Sequence, residues 1–360
     1  MIRQSATVDD VAKQAAAIVG AVPKSVDELL PVGSVRSFRA GALVVRVDED
    51  PAGKALDVEA LVLDALASAT TPPLAPPVLG RGRIAVYGGD RPFLAYPWID
   101  GRVLDRSSAN ARARDVGAAF ARLHAARIMD LFGRLPRERP LTLLEGFRRA
   151  VDEMKSWMQA RELDGLGQDL LTLALSDLQR ALRPYCIAQD HLFLTARRRV
   201  LCHGRPTPSF LVVRPDAPPV PPPLAFVGFD NACLGDAADD LACFSLAAQL
   251  DDGAEDAMLR AYVDELDRDG RTDRRFIQRC FARRTLVLFA QPVARLDANA
   301  GMKRRHVVMM MKTSMPTASG NQPPCLILRA LAPRNARSKE RKSERSRLAR
   351  VFPRRSRMTA

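Results

Sequence analysis

The sequence predicts an α+β protein of two lobes: a small strand-rich lobe with a leading helix over residues 1–96, a larger helical lobe over 97–300, and a basic tail over 301–360. Three observations carry that prediction. Short apolar runs divided by turn residues occupy 32–47 and 84–96, the pattern of strands. Between 112 and 188 apolar residues recur at helical spacing. Beyond residue 300 a single aromatic, Phe352, stands among basic blocks, and such a segment cannot bury enough apolar surface to order itself, so a disordered tail is expected.

In chain order, Thr7 before Val8, Asp9 and Asp10 reads as an N-cap with acids in the first turn, opening a packing helix to about Gly20. Gly33 and Gly41 permit turns in a hairpin that ends in the strand Ala42 to Val47. Residues 57–67 put leucines and valines on one helical stripe with acids on the other side. A stiff proline-rich run from Thr71 to Gly80 precedes two strands, Ile84 to Tyr87 and Phe93 to Tyr96. Helices follow over 112–126, 141–160 and 165–188, and again over 243–250, 254–268 and 273–296. His124 lies among the periodic apolar positions Val116, Ala119, Phe120 and Leu123, which makes it a core or helix-end histidine rather than a ligand.

A chain of 360 residues with 47% hydrophobic residues can bury a large core. No run approaches the roughly 18 apolar residues that a spanning helix needs. The first ten residues lack the apolar core of a signal peptide and carry acids where a transit peptide is acid-poor, so a cytoplasmic location is expected. Six cysteines, at 186, 202, 233, 243, 280 and 325, show no paired spacing, and with only four histidines zinc ligation has no support; the thiols are expected to be reduced and mostly in the core. The formal charge of +14 would suit a nucleic-acid binder, but its distribution does not. Residues 301–360 hold 16 Lys or Arg against Glu340 and Glu344, leaving 39 bases and 39 acids in the first 300. The tail carries the whole excess. It reads as a solvated extension or as a weak contact with nucleic acid or an anionic surface, and the abrupt change of composition also admits a shifted reading frame.

The chain is organised around residues 202–212. An apolar run ends in Cys202, His203 and Gly204, a loop with Pro206 and Pro208 follows, and a second apolar run begins: strand, tight loop, strand. After the prolines of 215–223, Phe226 to Asp230 reads as a short strand ending in a carboxylate, and Gly235-Asp236 with Asp240-Leu241-Ala242 comes next. This order of motifs resembles the aminoglycoside phosphotransferase and choline kinase group, small-molecule kinases of protein-kinase-like fold, over about residues 20–297. The resemblance implies ATP and Mg as cofactors and a small-molecule substrate.

It also implies a site, position by position. The phosphate-contacting lysine of the group falls on Arg46, whose planar fork is not an equivalent replacement; the alternative is a solvated strand residue. The glutamate that fixes that cation matches Glu59, which otherwise reads as an ordinary surface residue. The hinge that meets adenine through one carbonyl and, two residues later, one N–H falls on Pro97 and Ile99, since proline lacks only the N–H. The plain alternative there is a strand-to-helix connection closed by Asp100 and Gly101. The phosphate loop, Ser34 to Gly41, is poor in glycine. In the catalytic loop His203 and Gly204 match, Arg205 stands at the catalytic Asp position, and Phe210 or the adjacent Ser209 stands at the Mg-binding Asn position. Asp230 is left as the metal ligand. Asp240 matches the structural acid of the helix-opening motif, and Asp236 reads as a first-turn acid.

Both changes in the loop remove chemistry. In this reaction class a carboxylate orients or accepts the proton of the attacking hydroxyl and metal ions neutralise the terminal phosphates. A guanidinium is no base near neutral pH, and a phenyl ring does not bind a hard cation. Two functions follow as expectations: ATP-dependent phosphoryl transfer to a hydroxyl of a small polar molecule through an altered site, or a catalytically silent, pseudokinase-like module that keeps the cleft for a nucleotide or metabolite.

Overall fold

The structure, a computed structural model, describes residues 8–284 apart from 33, 71–72, 87–88, 127–130, 132, 136–141, 160–164, 194–198, 215–223 and 268–275. The chain divides into two units, Met1–Asp297 and Ala298–Ala360. The expectations for Thr7, Gly33, the end of the last helix and the tail at 301–360 lie outside the described residues.

The small lobe is a five-stranded antiparallel sheet in the order β1-β2-β3-β5-β4, built from β1 (Val26–Val32), β2 (Val35–Ala40), β3 (Leu43–Asp48), β4 (Gly80–Val86) and β5 (Gly89–Pro97). The edge strand β1 was not expected from the sequence. It contains Pro31, which cannot donate to a ladder, and its register with β2 shifts between Leu29 and Val32. Side-chain alternation on β3 sends Val45 and Val47 to the face packed by Ala12, Ala15 and Ala16 of α1 (Val8–Ile18). Val44 and Arg46 take the other face, which α2 (Lys54–Ala69) covers with Leu56, Leu63 and Glu59. Arg46 and Glu59 are 2% and 0% exposed, so neither is the solvated residue that each could have been.

The larger lobe holds α3 (Arg106–Ala111), α4 (Ala113–Ala125), α5 (Leu143–Gln159), α6 (Gly165–Gln189), α7 (Ala237–Ala247), α8 (Asp252–Asp267) and a helical stretch over 276–284. α4 and α8 approach to backbone contact at Gly117, where a methyl group would run into the Met258 carbonyl. Phe120 of α4 then meets Phe226 and Phe244 edge-on, with ring centroids 5.1 and 5.6 Å away. The helices follow the sequence periodicity closely, except that the short α3 was not expected and α7 starts at Ala237, where the motif rather than the periodicity places it. Two small sheets shape the loop region: β7 (Val200–Cys202) with β10 (Cys233–Gly235), and β6 (Arg102–Val103) with β8 (Leu211–Val213) and β9 (Leu224–Phe226). Cys186, Cys202, Cys233 and Cys280 lie in the core and Cys243 at its margin, none of these five in a disulfide. Among the described residues no helix is long and apolar enough to cross a membrane.

Candidate functional site

The loop after β7 is held by one carboxylate. Asp240, in the first turn of α7 and wholly buried, accepts the backbone N–H of His203 on Oδ2 at 2.5 Å and that of Gly204 on Oδ1 at 3.1 Å. His124 reaches the same Oδ2 through Nε2 at 3.3 Å, and its Nδ1 meets the Tyr262 hydroxyl at 3.0 Å. Gly204 has φ +91°, and a Cβ there would collide with the Asn231 carbonyl, so the turn requires glycine twice over. Asp236 is the N-cap of α7, accepting the Ala238 N–H at 3.0 Å, one step earlier than the first-turn position read from the sequence.

His203 does not face the cleft. Its Nε2–H donates to the Val227 carbonyl at 2.9 Å, and its ring lies among Phe210, Phe229 and Phe226 with centroids 5.3, 4.9 and 6.1 Å away. Burial pulls its pKa down, against a partial pull upward by Asp240, which keeps the imidazole neutral. The residue has no exposed surface, so its ring lies in the interior. Phe210 fills the space between this ring and the backbone of Gly228. Ser209 points away to solvent, its hydroxyl 2.7 Å from that of Thr207.

β9 stops at Phe226, because Gly228 at φ +76° turns the chain out of the extended conformation; Asp230 therefore sits on the 3-10 turn Phe229–Asn231 and not at a strand end. Its side chain, 6% exposed, stands between two guanidinium groups. Arg46 Nη2 lies 3.3 Å from Oδ1, and Arg205 Nη2 lies 3.9 Å from Oδ2. The Asn231 amide donates to Oδ2 at 2.6 Å. Arg46 also pairs with Glu59 through Nη1 and donates from Nε to Ser37 Oγ at 3.2 Å. Burial alone works against the Arg46 charge, but Glu59, Tyr96 and Asp230 offset it and hold the guanidinium above its ordinary range. Burial pushes the Glu59 carboxyl up while Arg46 opposes it, and burial with Glu59 keeps the Tyr96 phenol protonated. Tyr96 and Ser37 escaped the sequence reading; strand parity puts Tyr96 on the Arg46 side, the one signal that could have found it.

At the expected hinge, Pro97 ends β5 opposite Leu43, and the Trp98 N–H donates to the Ala42 carbonyl at 2.8 Å. That bond makes Leu43–Pro97 a non-hydrogen-bonded pair, so the missing proline N–H costs the ladder nothing and the Pro97 carbonyl points away from β3. Ala95 points the same way and accepts from Leu79, but β4 pairs no further than Ala95. The Pro97 carbonyl thus lies past the end of β4, beside the partly exposed Ile99. A nucleobase edge could use both.

Magnesium is a different matter. It takes hard oxygen ligands in near-octahedral array. Asp230 offers a carboxylate already engaged by two guanidiniums and an amide, and Phe210 offers no ligand atom. A dication about 4 Å from a guanidinium meets roughly twice the ~4 kcal/mol that two unit charges exchange at that distance with an effective dielectric near 20. These residues do not fit magnesium. Elsewhere, His124, Cys202 and Asp240 bring ligand atoms within 4.8 Å of one another, but the protein's own hydrogen bonds occupy both histidine nitrogens and both carboxylate oxygens. A surface pocket of ≈ 270 Å³ between α2 and β4–β5, lined by Leu56, Ala60, Arg81 and Phe93 among others, includes none of the site residues.

Residues 34–277 match the model of the family described as "Phosphotransferase enzyme family". The fold is similar to solved structures at low identity. A choline/ethanolamine kinase family protein from Mesorhizobium loti aligns at TM-score 0.56 and 17% identity over 85% of this chain and 95% of that one. A macrolide 2'-phosphotransferase from Brachybacterium faecium aligns at 0.55 and 18%, over 87% and 100%. The GDP complex of aminoglycoside 2'-phosphotransferase-IIIa aligns at 0.57 and 15%, over 84% and 96%. No curated protein matches the chain.

Proposed function

Because the chain belongs to the phosphotransferase enzyme family, whose model spans residues 34–277, we propose that its cleft binds a nucleotide, and that with its native residues it does not pass the terminal phosphate on. One observation carries the second half: the side chain that reaches Asp230 from the loop is the guanidinium of Arg205, where transfer to a hydroxyl needs a carboxylate to orient the nucleophile. The Pro97 carbonyl past the end of β4, with Ile99 beside it, supports the nucleotide, with ATP or ADP as ligand. The GDP complex of a structurally similar phosphotransferase is in keeping with this. In this reading the protein is a pseudokinase-like sensor or binding module, and its small-molecule partner is the nucleotide itself.

A second reading keeps the activity. The intact bracing of the loop, with Asp240 holding His203 and Gly204, favours a site still shaped for phosphoryl transfer to a small hydroxyl compound. A thermal-shift series with ATP, ADP and adenosine, followed by analysis of the ATP for breakdown, separates the two. Ligands that bind only the folded state raise its melting temperature. The proposal expects a rise with ATP or ADP and unchanged ATP after incubation. No shift with any of the three sinks nucleotide binding, and ATP consumption above buffer supports the active reading instead.

A further inference from the structure

The mismatch between magnesium and the Asp230 surroundings leads further, resting on the nucleotide reading just given. We propose that Arg205, backed by the charge of Arg46, stands in for a divalent cation, so that the cleft binds a nucleoside di- or triphosphate without metal. The geometry is specific. Both carboxylate oxygens of Asp230 have a guanidinium partner, Oδ1 with Arg46 at 3.3 Å and Oδ2 with Arg205 at 3.9 Å. The two arginines differ in access. The Arg46 side chain is 3% exposed, and its Nε, Nη1 and Nη2 are taken by Ser37, Glu59 and Asp230. Its part is charge at short range rather than direct contact.

The Arg205 side chain is 46% exposed and meets Asp230 through one nitrogen at a long distance, which leaves most of its five N–H donors to a ligand. A guanidinium fork matches phosphate oxygens in pairs, and its charge does not depend on pH or on free metal. A bound metal ion and these two side chains would occupy the same electrostatic role, and only the side chains are supplied by the chain itself. Asp230 then has the opposite sign of effect from a metal ligand: it restrains Arg205, which faces the phosphate, and offsets the charge of Arg46 behind it.

Isothermal titration of the full chain tests this, with ADP, ATP and adenosine each measured in excess EDTA and in excess magnesium chloride. ADP is expected to bind about equally in both buffers. Arg205→Ala should weaken ADP by roughly tenfold, the scale of one charge-assisted hydrogen bond, and leave adenosine unchanged. Asp230→Asn, which removes the negative charge facing both guanidiniums, should tighten ADP. Should Asp230→Asn fail to melt cooperatively, Arg205→Ala decides alone, since Arg205 is half exposed and its contact is long. ADP binding that requires magnesium, or that Asp230→Asn abolishes in a folded protein, overturns the inference while adenosine binding preserves the nucleotide reading. If adenosine and ADP both fail to bind in either buffer, the nucleotide reading falls and this inference with it.

Discussion

Arg46 Nη2 donates to Asp230 Oδ1 at 3.3 Å across 184 residues of sequence, while Nη1 of the same side chain pairs with Glu59. One guanidinium thus joins a strand of the sheet, the helix that covers it and the turn after β9. Burying these charges is tolerable only because each has a partner, and taking one away from a buried pair costs about 3–5 kcal/mol. Glu59→Ala is expected to lower stability in urea unfolding by that amount. Pairing it with Arg46→Met should lose less than the sum of the two single changes, because the second change removes the charge that the first strands.

Asp240 is the second hub, and its effect is on the loop backbone. Asp240→Ala takes the carboxylate away from the N–H groups of His203 and Gly204 at once, and losing the partner of a buried donor costs about 1–3 kcal/mol. A loss of about 2–6 kcal/mol in chemical denaturation is expected on the same scale. Asp240→Asn keeps one carbonyl oxygen and should lose less.

The pH dependence of stability carries a signature of His203. Its folded pKa lies below the ordinary 6.5, chiefly through burial, so between the two values the unfolded chain binds the proton and the folded one does not. Stability therefore rises with pH through that window and is fully present above 6.5; as the pH falls below 6.5 it is lost until the folded pKa is reached. Urea midpoints measured downward from neutral pH should fall, and His203→Asn should flatten the fall relative to the parent.

Helical residues 276–284 dock by charge on the larger lobe: Arg279 Nε lies 3.1 Å from Asp236, Arg283 Nε lies 2.9 Å from Asp239, and Arg284 pairs with Glu255. A chain ending near residue 300 keeps all three contacts and should melt cooperatively near the temperature of the whole chain. A chain ending at residue 275 loses them and leaves Asp236 and Asp239 buried without those partners, so its melting temperature should drop by many degrees.

Part of the site was legible in the order of motifs along the chain, which resembles that of the phosphotransferase group. Arg46, Glu59 and Asp240 were picked out by that resemblance, and in the structure Arg46 pairs with Glu59 while Asp240 accepts the His203 and Gly204 N–H groups. What the pattern could not give was company. That Arg205 folds back on Asp230 depends on the left-handed turn at Gly228, which ends β9 early and moves the carboxylate off the strand. That His203 is sealed off depends on three phenyl rings from separate segments meeting around it. The strand β1 was hidden for a local reason: its proline reads as a breaker, and only an edge position tolerates it.

Whether Arg205 and Phe210 disable a phosphotransferase loop is tested by release of the ATP γ-phosphate in the presence of magnesium. The native chain is expected to match buffer. Arg205→Asp together with Phe210→Asn supplies a carboxylate and an amide where both are lacking and takes one cation away from Asp230, so the double variant should turn ATP over measurably. Either change alone should do little, since groups that act as one catalytic unit are not additive. A native chain that releases phosphate at a rate the double variant does not raise would contradict the account.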